Sequence, residues 1–478
     1  MSPERSVSEP SAGPPALDVM PPLDSGEPLA VHIVAIGGAG MSAIATVLAR
    51  MGHTVTGSDL KGSRNIERLR ALGVRANVGH SAANLPADLD AVVISTAVPA
   101  SNVEVVAARE RGVPVLRRAE ALRALVATRR GIAVAGSHGK TTTSSMLALI
   151  LRGAGLRPSF VIGGELNEVG TNAAYDAGEW FVVEADESDG TFLELAPVAA
   201  IVTNVEADHL ETYRDFAGLV VAFRTFLAAV PGPRVVCADD AIALELASEV
   251  GALTYGEHPD ADYRIGGFTG SRLGSTWTVH HHGVQLDLAL PVAGLHNALN
   301  ATGAAAIALE LGVAPDAIAA ALASFGGVAR RFEARGTARG VAYIDDYAHL
   351  PGEVKAAIRA ARDGGWERVV VVFQPHRYSR TAALWRDFGD AFAEADLLVL
   401  TDIYAAGEVP RPGVSGRLVL RAVLEAHPSS RVVYLPHRHE LVSMVPGLTR
   451  AGDLVLTLGA GDLTTLPDEW LGAAEVAS

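Results

Sequence analysis

Residues 131 to 147 read "GIAVAGSHGKTTTSSML", which places two glycines, one lysine and a run of hydroxyls where phosphate could be held. Phosphate loops use glycine to curve backbone amides around the anion, lysine to offset its charge, and a Ser or Thr hydroxyl to face Mg²⁺. The usual pattern needs a glycine five positions before Gly139, where this chain has Val134, so that pattern fails. Gly136 and Gly139 instead lie three apart, with Ser137 and His138 between them and Lys140, Thr141, Thr142 and Thr143 after. A shorter loop of the same chemistry is expected, its amides wrapping the phosphates, Lys140 neutralising charge and Thr141 facing a metal. Further metal ligands are expected just past two apolar runs, at Glu184 in "VVEADESD" and His209 in "TNVEADHLETY".

A second glycine turn follows "VHIVAI". Gly38-x-Gly40-x-x-Ala43, with Asp59 about 20 residues on, matches the dinucleotide fingerprint in its Gly/Ala form. Glycines at a helix N-terminus accept any pyrophosphate, so a nicotinamide dinucleotide and a UDP-sugar both fit. The run His280, His281, His282 abuts Gly283 before "VQLDLAL" and reads as a hairpin turn rather than a metal site.

These residues must be positioned by several domains, because 478 residues exceed one hydrophobic core. Runs such as "HIVAI", "AVVIS", "GIAVAG", "FVVEADES", "VAYIDD", "RVVVVFQ" and "DLVLTLGAG" alternate with helical spacing, the mark of mainly parallel sheets with ligands at the strands' carboxyl ends. The first 28 residues are rich in Pro and Ser and read as a disordered tail. A formal charge of −15 argues against nucleic acid. No apolar run reaches the roughly 20 residues of a membrane helix, so no membrane is expected. Cys237 is the single cysteine and fits a reducing cytoplasm. Only three lysines occur, Lys61, Lys140 and Lys355, so the one inside the glycine loop stands out.

Taken together, "GSHGKTTT", "EADESD" and "TNVEADHLETY" resemble the Mur ligase family of peptidoglycan synthesis. The motifs "IGGAGMS", "HNALNA", "RRFE", "DDYAH" and "FQPHRYSRT" are similar to its alanine-adding branch, over roughly residues 30 to 465. The resemblance implies an α/β protein of three domains, each with a mainly parallel sheet: a Rossmann-like UDP-substrate domain (29–125), a P-loop-like ATP domain (126–328) and a Rossmann-like closing domain that takes the amino acid (329–478). It implies joining of L-alanine to UDP-N-acetylmuramate with ATP and Mg²⁺, through an acyl phosphate, by a cytoplasmic monomer or weak homodimer.

Residue by residue, the resemblance places ATP on Gly136, Ser137, His138, Gly139, Lys140, Thr141, Thr142, Asn297, Asn300, Arg331 and Asp345 or Asp346. Magnesium falls to Thr141, Glu184 and His209, and the UDP moiety to Gly38, Ala39, Gly40, Met41, Ser42, Asp59 and His80. Catalytic roles go to Lys140, His209, Arg331 and His349. The strand in "FQPHRYSRT" should end near Phe373, leaving His376, Arg377 and Arg380 to meet the amino acid, with the arginines on its carboxylate. Two departures are visible: Leu350 stands where the family usually has a second histidine, and no lysine occurs between His209 and Arg234 where many relatives carry a carbamylated one. A recycling ligase that adds a preformed tripeptide is disfavoured by Ser188, where that branch has tyrosine. An oxidoreductase would leave Lys140, Glu184 and His209 without work.

Overall fold

The computed structural model describes residues 20–24, 26–208 and 210–476. Contacts divide the chain into two compact units, one ending at Thr128 and the other beginning at Arg129. The first holds one sheet and the second holds two.

In the first unit five parallel strands lie in the order Arg75–Val78, Thr54–Asp59, Ala30–Val34, Ala91–Ile94 and Val115–Arg117. The strand Ala30–Val34 is buried nearly throughout and runs into the glycine turn, after which the helix Ala39–Met51 begins. The expected tail ends earlier than its composition suggests. Met20 and Leu23 are 7% and 5% exposed, so the stretch before Leu29 is partly packed, whereas residues 1–19 lie outside the described residues. Burying such side chains contributes about 1.5–3 kcal/mol each. A chain truncated to begin at Leu29 is therefore expected to melt several degrees below one that begins at Met20; equal melting temperatures would show that Met20 and Leu23 contribute nothing.

In the second unit the central sheet has ten strands. Its middle is parallel, in the order Arg234–Cys237, Ala199–Val202, Arg130–Ala135, Trp180–Glu184 and Ser159–Leu166. Antiparallel strands finish both sides, among them the hairpin Gly274–His281/Val284–Leu290. Its two turn residues, His282 and Gly283, both have positive φ, 45° and 79°, so of the histidine run only His282 lies in the expected turn, while His280 and His281 end the strand before it. The third sheet has six strands, parallel except for the edge strand Glu333–Ala338, with Val341–Asp346, Asp453–Leu458 and Arg368–Phe373 adjacent at its centre. The expected second and third domains thus correspond to two sheets within one compact unit. Among the described residues no helix is long and apolar enough to cross a membrane.

Candidate functional site

The loop from Gly136 to Lys140 joins the strand Arg130–Ala135 to the helix Lys140–Gly153. Both glycines are dictated by their surroundings. Gly136 has φ 135° and a Cβ there would overlap Thr203 Oγ1; Gly139 has φ 78° and a Cβ there would overlap Asn300 Oδ1. Two amides of the expected phosphate-wrapping loop are already engaged within the protein. The Ser137 amide donates to the Asn204 carbonyl (3.1 Å) and the His138 amide to Asn204 Oδ1 (2.7 Å), so Asn204 shapes the first half of the loop. The amides of the helix's first turn before Thr143, which bonds to the Gly139 carbonyl (2.9 Å), are the ones placed to meet an anion.

Lys140 does not extend freely. Its ammonium donates to the carbonyls of Gly136 (2.6 Å) and Ser137 (3.2 Å) and to Glu187 Oε1 (3.0 Å), with Glu187 Oε2 at 2.8 Å. Burial disfavours its charge, but Glu187, Asp186 and Glu184 outweigh that and raise its pKa. Burial pushes the Glu187 carboxyl upward in turn. Thr141 Oγ1 donates to Glu184 Oε1 (3.1 Å), while Glu184 Oε2 accepts the Gly163 amide (2.7 Å). These adjacent hard oxygens suit Mg²⁺, which takes one or two protein oxygens and completes its shell with phosphate and water. The third expected ligand, His209, lies outside the described residues. Among the described residues no group of three or more His, Cys, Asp or Glu forms a metal cage.

A cavity of about 180 Å³ opens beside the loop, lined by His138, Gly139 and Thr142, by Asn297 and Asn300, and by Arg331, Asp346 and Glu353. Asn297 and Asn300 come from the first turns of the helix Leu295–Glu310. Of the two expected ribose aspartates only Asp346 lines the cavity. Asp345 is a correction: it is 1% exposed and accepts hydrogen bonds from Thr457 Oγ1 (2.7 Å) and Thr464 Oγ1 (2.6 Å), away from the site. Asp346 accepts the Phe332 and Ala348 amides, each at 2.7 Å. Burial raises its pKa to about 6, against the pull of Arg331.

His138 sits between two carboxylates. Its Nδ1 is 3.1 Å from Glu353 Oε1 and its Nε2 is 3.2 Å from Glu206 Oε2. Burial disfavours the imidazolium, but Glu353 and Glu206 outweigh it and raise the pKa to about 10, so a second cation stands at the phosphate loop. Glu353 also accepts the amides of His349 (2.9 Å) and Leu350 (3.1 Å), capping the helix Pro351–Asp363. Leu350, the residue before that helix, is 5% exposed. Sequence reading missed Glu187, Asn204, Glu206 and Glu353 as site residues. The signal for Glu353 was present, since Pro351 followed by a glutamate two residues later marks a helix start.

The amino-acid candidates lie at the end of the strand Arg368–Phe373. Arg380 Nη1 is 3.2 Å from His376 Nδ1, and Arg380 Nη2 is 3.7 Å from Asp208 Oδ2 on the central sheet's side. His376 stacks on Tyr404 at 5.9 Å and meets His349 edge-on at 5.6 Å. Arg377 has φ 66° and opens the short helix Tyr378–Leu384, its amide bonded to the Tyr404 carbonyl (2.9 Å).

In the first unit, Asp59 Oδ2 accepts the Gly37 amide (2.9 Å) and Oδ1 accepts the Lys61 amide (3.3 Å), so this acid braces the glycine turn. Met41 and Ser42 are buried, and the Gly38 amide donates to the Ala35 carbonyl (3.3 Å). His80 Nδ1 is 2.8 Å from Ser58 Oγ and 3.3 Å from Glu104 Oε2. Glu104 is fully buried, but hydrogen bonds from His32, Ser58, Asn84 and the Ser81 amide overcome burial and hold its carboxyl at about 2.

Three partly exposed histidines bear on the acid behaviour of the second unit. Burial lowers the pKa of His296, His349 and His376 to about 4, helped by Arg331 at the first and by Arg380 at the other two. A histidine whose folded pKa is depressed stabilises the fold fully above its ordinary value near 6.5, and that stability drains away as pH falls toward 4. Asp346 and Glu187, raised by burial, act in the opposite direction, as does His138, raised by Glu353 and Glu206. His296→Gln removes one ring that is neutral when folded, so its change in melting temperature from pH 7 to pH 5 is expected to be more favourable than that of the wild type; an identical change would contradict the neutral assignment of that ring.

Three family models match the chain: "Mur ligase family, catalytic domain" over residues 30–154, "Mur ligase middle domain" over 134–308 and "Mur ligase, glutamate ligase domain" over 330–461. The chain belongs to the Mur ligase family. The UDP-N-acetylmuramate–L-alanine ligase of Pelotomaculum thermopropionicum is 48% identical over 439 residues, which is 91% of this chain and 95% of that protein. The ligase of the same name from Kineococcus radiotolerans is 49% identical over 452 residues, 92% of this chain and 95% of that one. Among solved structures, the UDP-N-acetylmuramate-alanine ligase of Thermotoga maritima superposes with a TM-score of 0.80 at 30% identity, covering 94% of this chain and all of that one. A murein peptide ligase from Psychrobacter arcticus shares the fold, with a TM-score of 0.66 at 24% identity over 93% of this chain and 98% of that one.

Proposed function

We propose that this protein joins L-alanine to the carboxylate of UDP-N-acetylmuramate, converting ATP to ADP and phosphate, in the synthesis of peptidoglycan precursors. The observation that carries the reading is the cavity at the loop, where His138, Gly139, Thr142, Asn297, Asn300 and Arg331 gather and the His138 imidazolium is held by two carboxylates, with Lys140 and Thr141, the latter bonded to Glu184, at the start of the adjoining helix. Relatives near half identity that carry the alanine-ligase name support the choice of substrates.

A carboxylate is a poor acyl donor. Phosphorylation turns one of its oxygens into a leaving group, and the alanine amine then displaces phosphate as the amide forms. The transfer crowds negative charge at the phosphate loop, and Lys140, the His138 imidazolium and Arg331 are the fixed cations that would offset it. Thr141 and Glu184 would hold Mg²⁺, with His209 completing the protein's share; when bound, the ion neutralises phosphate charge and orients the transferred group. Asn297 and Asn300 would face the adenine end, and Asp346 the ribose. The turn Gly38–Ser42, braced by Asp59, would take the UDP pyrophosphate on its amides.

The deciding assay is phosphate release with each substrate omitted in turn. Release is expected only when ATP, Mg²⁺, UDP-N-acetylmuramate and L-alanine are all present, and a tripeptide in place of alanine should give none. Turnover with the tripeptide alone would move the protein to the recycling branch. No turnover, with NADH binding instead, would overturn the ligase reading altogether.

A further inference from the structure

The helix Pro351–Asp363 belongs to the third sheet's layer, yet three parts of the central layer hold it. At its amino end Glu353 meets His138 at 3.1 Å. In its middle a Cβ on Gly294 would stand 2.6 Å from Ala360 Cβ, so the Ala360 side chain packs against Gly294 where a larger residue would clash. Gly294 is the residue immediately before the helix that carries Asn297 and Asn300. At its carboxyl end the tip of the hairpin Tyr263–Ser271/Gly274–His281 reaches across. Arg272 there donates from Nε to the Gly364 carbonyl (3.1 Å) and from Nη2 to the Gly365 carbonyl (2.8 Å), and its guanidinium lies 4.0 Å from the centre of the Trp366 ring.

A residue in a two-residue hairpin tip normally extends into water, as the neighbouring Leu273 does at 89% exposure. Arg272 instead spends two donors and its flat face on the end of one helix in another layer. A cation is favoured there because the last carbonyls of a helix carry partial negative charge. The planar fork and the ring contact together fix direction as well as distance. A helix pinned only at Glu353 could pivot; pinned also at Gly364, about 17 Å away at 1.5 Å per residue, it cannot.

We propose that Arg272 is a positioning residue for ATP: it seats the helix Pro351–Asp363 against Gly294 and so sets the gap between Asn297 and Asn300 on one wall of the nucleotide cavity and Glu353 and Ala356 on the other. This rests on the cavity being the ATP site of the proposed ligase. Arg272 touches no substrate, and its effect passes through the helix.

The test compares Arg272→Ala, Arg272→Lys and Trp366→Leu. For Arg272→Ala, the dissociation constant of N-methylanthraniloyl-ATP, read by its fluorescence, is expected to rise about tenfold and kcat to fall by a similar factor, a change that corresponds to ~1.4 kcal/mol. KM for alanine and for UDP-N-acetylmuramate should stay within twofold, and the melting temperature should hold because Arg272 is exposed. Lysine keeps one donor but loses the fork and the stacking, so Arg272→Lys should fall between, as should Trp366→Leu. Wild-type nucleotide affinity and kcat in Arg272→Ala would overturn the proposal. So would losses spread evenly over all three substrates that track a lowered melting temperature. If the wild type bound the nucleotide but turned over none of the proposed substrates, the ligase reading would fail while the affinity comparison still decided the role of Arg272.

Discussion

Lys140→Ala is expected to lower kcat by about 10²–10³-fold, the usual cost of removing one preorganised cation or donor from a charged transition state. The structure adds a second consequence that the loop sequence alone does not contain. All three ammonium protons are engaged, two by the loop's own carbonyls and one by Glu187, so Lys140 ties the loop's first half to its last residue as well as supplying charge. Alanine would leave Glu187 at 2% exposure without its partner. Breaking a buried pair from one side typically costs about 3–5 kcal/mol, lessened wherever the stranded carboxyl can take up a proton. Lys140→Ala should therefore melt lower than the wild type and recover part of that loss in mild acid. The double variant Lys140→Ala/Glu187→Gln removes the stranded charge and should regain most of the stability while staying as inactive as the single variant. Recovery of activity in the double variant would mean that Lys140 acts only as a structural tie, and kcat within a few-fold of wild type in the single variant would remove it from catalysis.

That pairing marks where sequence reading stops. Gly136, Gly139, Lys140 and Thr141 were legible because a strand, a glycine turn and a helix follow each other without interruption from Arg130 to Gly153, and local spacing carries their geometry. The three sheets were legible for the same reason, since apolar runs of strand length alternate with helical periodicity. Partners distant in the chain were not. Asn204 takes two loop amides from 66 and 67 residues away, and Glu353 reaches His138 across 215 residues of chain. No local pattern encodes a contact of that kind. Asp345 and Asp346 failed for a related reason. Neighbours on a strand face opposite sides, so one of the pair had to turn from the cavity, and only packing against Thr457 and Thr464 decided which. The tail misled through composition: Pro and Ser dominate before Leu29, but two apolar side chains, Met20 and Leu23, suffice to pack its last residues.

Arg380→Ala is expected to raise the KM for alanine by about 10²-fold, within the 2–5 kcal/mol that truncating one partner of a buried, hydrogen-bonded charge pair typically costs. The alanine carboxylate needs a cation, and Arg380 is 13% exposed, directed by His376 on one side and Asp208 on the other. His376 is neutral, its pKa lowered by burial and the nearby cations to about 4, so its Nδ1 accepts from the guanidinium and orients it. Asp208, at 3.7 Å, is too distant for a tight ion pair, so a substrate carboxylate can take up the fork's remaining donors. KM for ATP should change little, because the cavity proposed for the nucleotide is lined by other residues. Arg380→Lys keeps the charge without the planar fork and should remain well short of wild type. Arg377 contributes its backbone amide to Tyr404 and starts the helix that carries Arg380, so Arg377→Ala should affect alanine less than Arg380→Ala does. Selectivity against glycine has a physical ceiling. A missing methyl is worth about 1–3 kcal/mol, or roughly 10–200-fold, because a pocket cannot exclude a ligand smaller than the one it fits. Glycine is therefore expected to react at high concentration. An unchanged alanine KM in Arg380→Ala would remove this arginine from the amino-acid site, and rejection of glycine by more than about ten-thousand-fold would require a device beyond the fit of one methyl group.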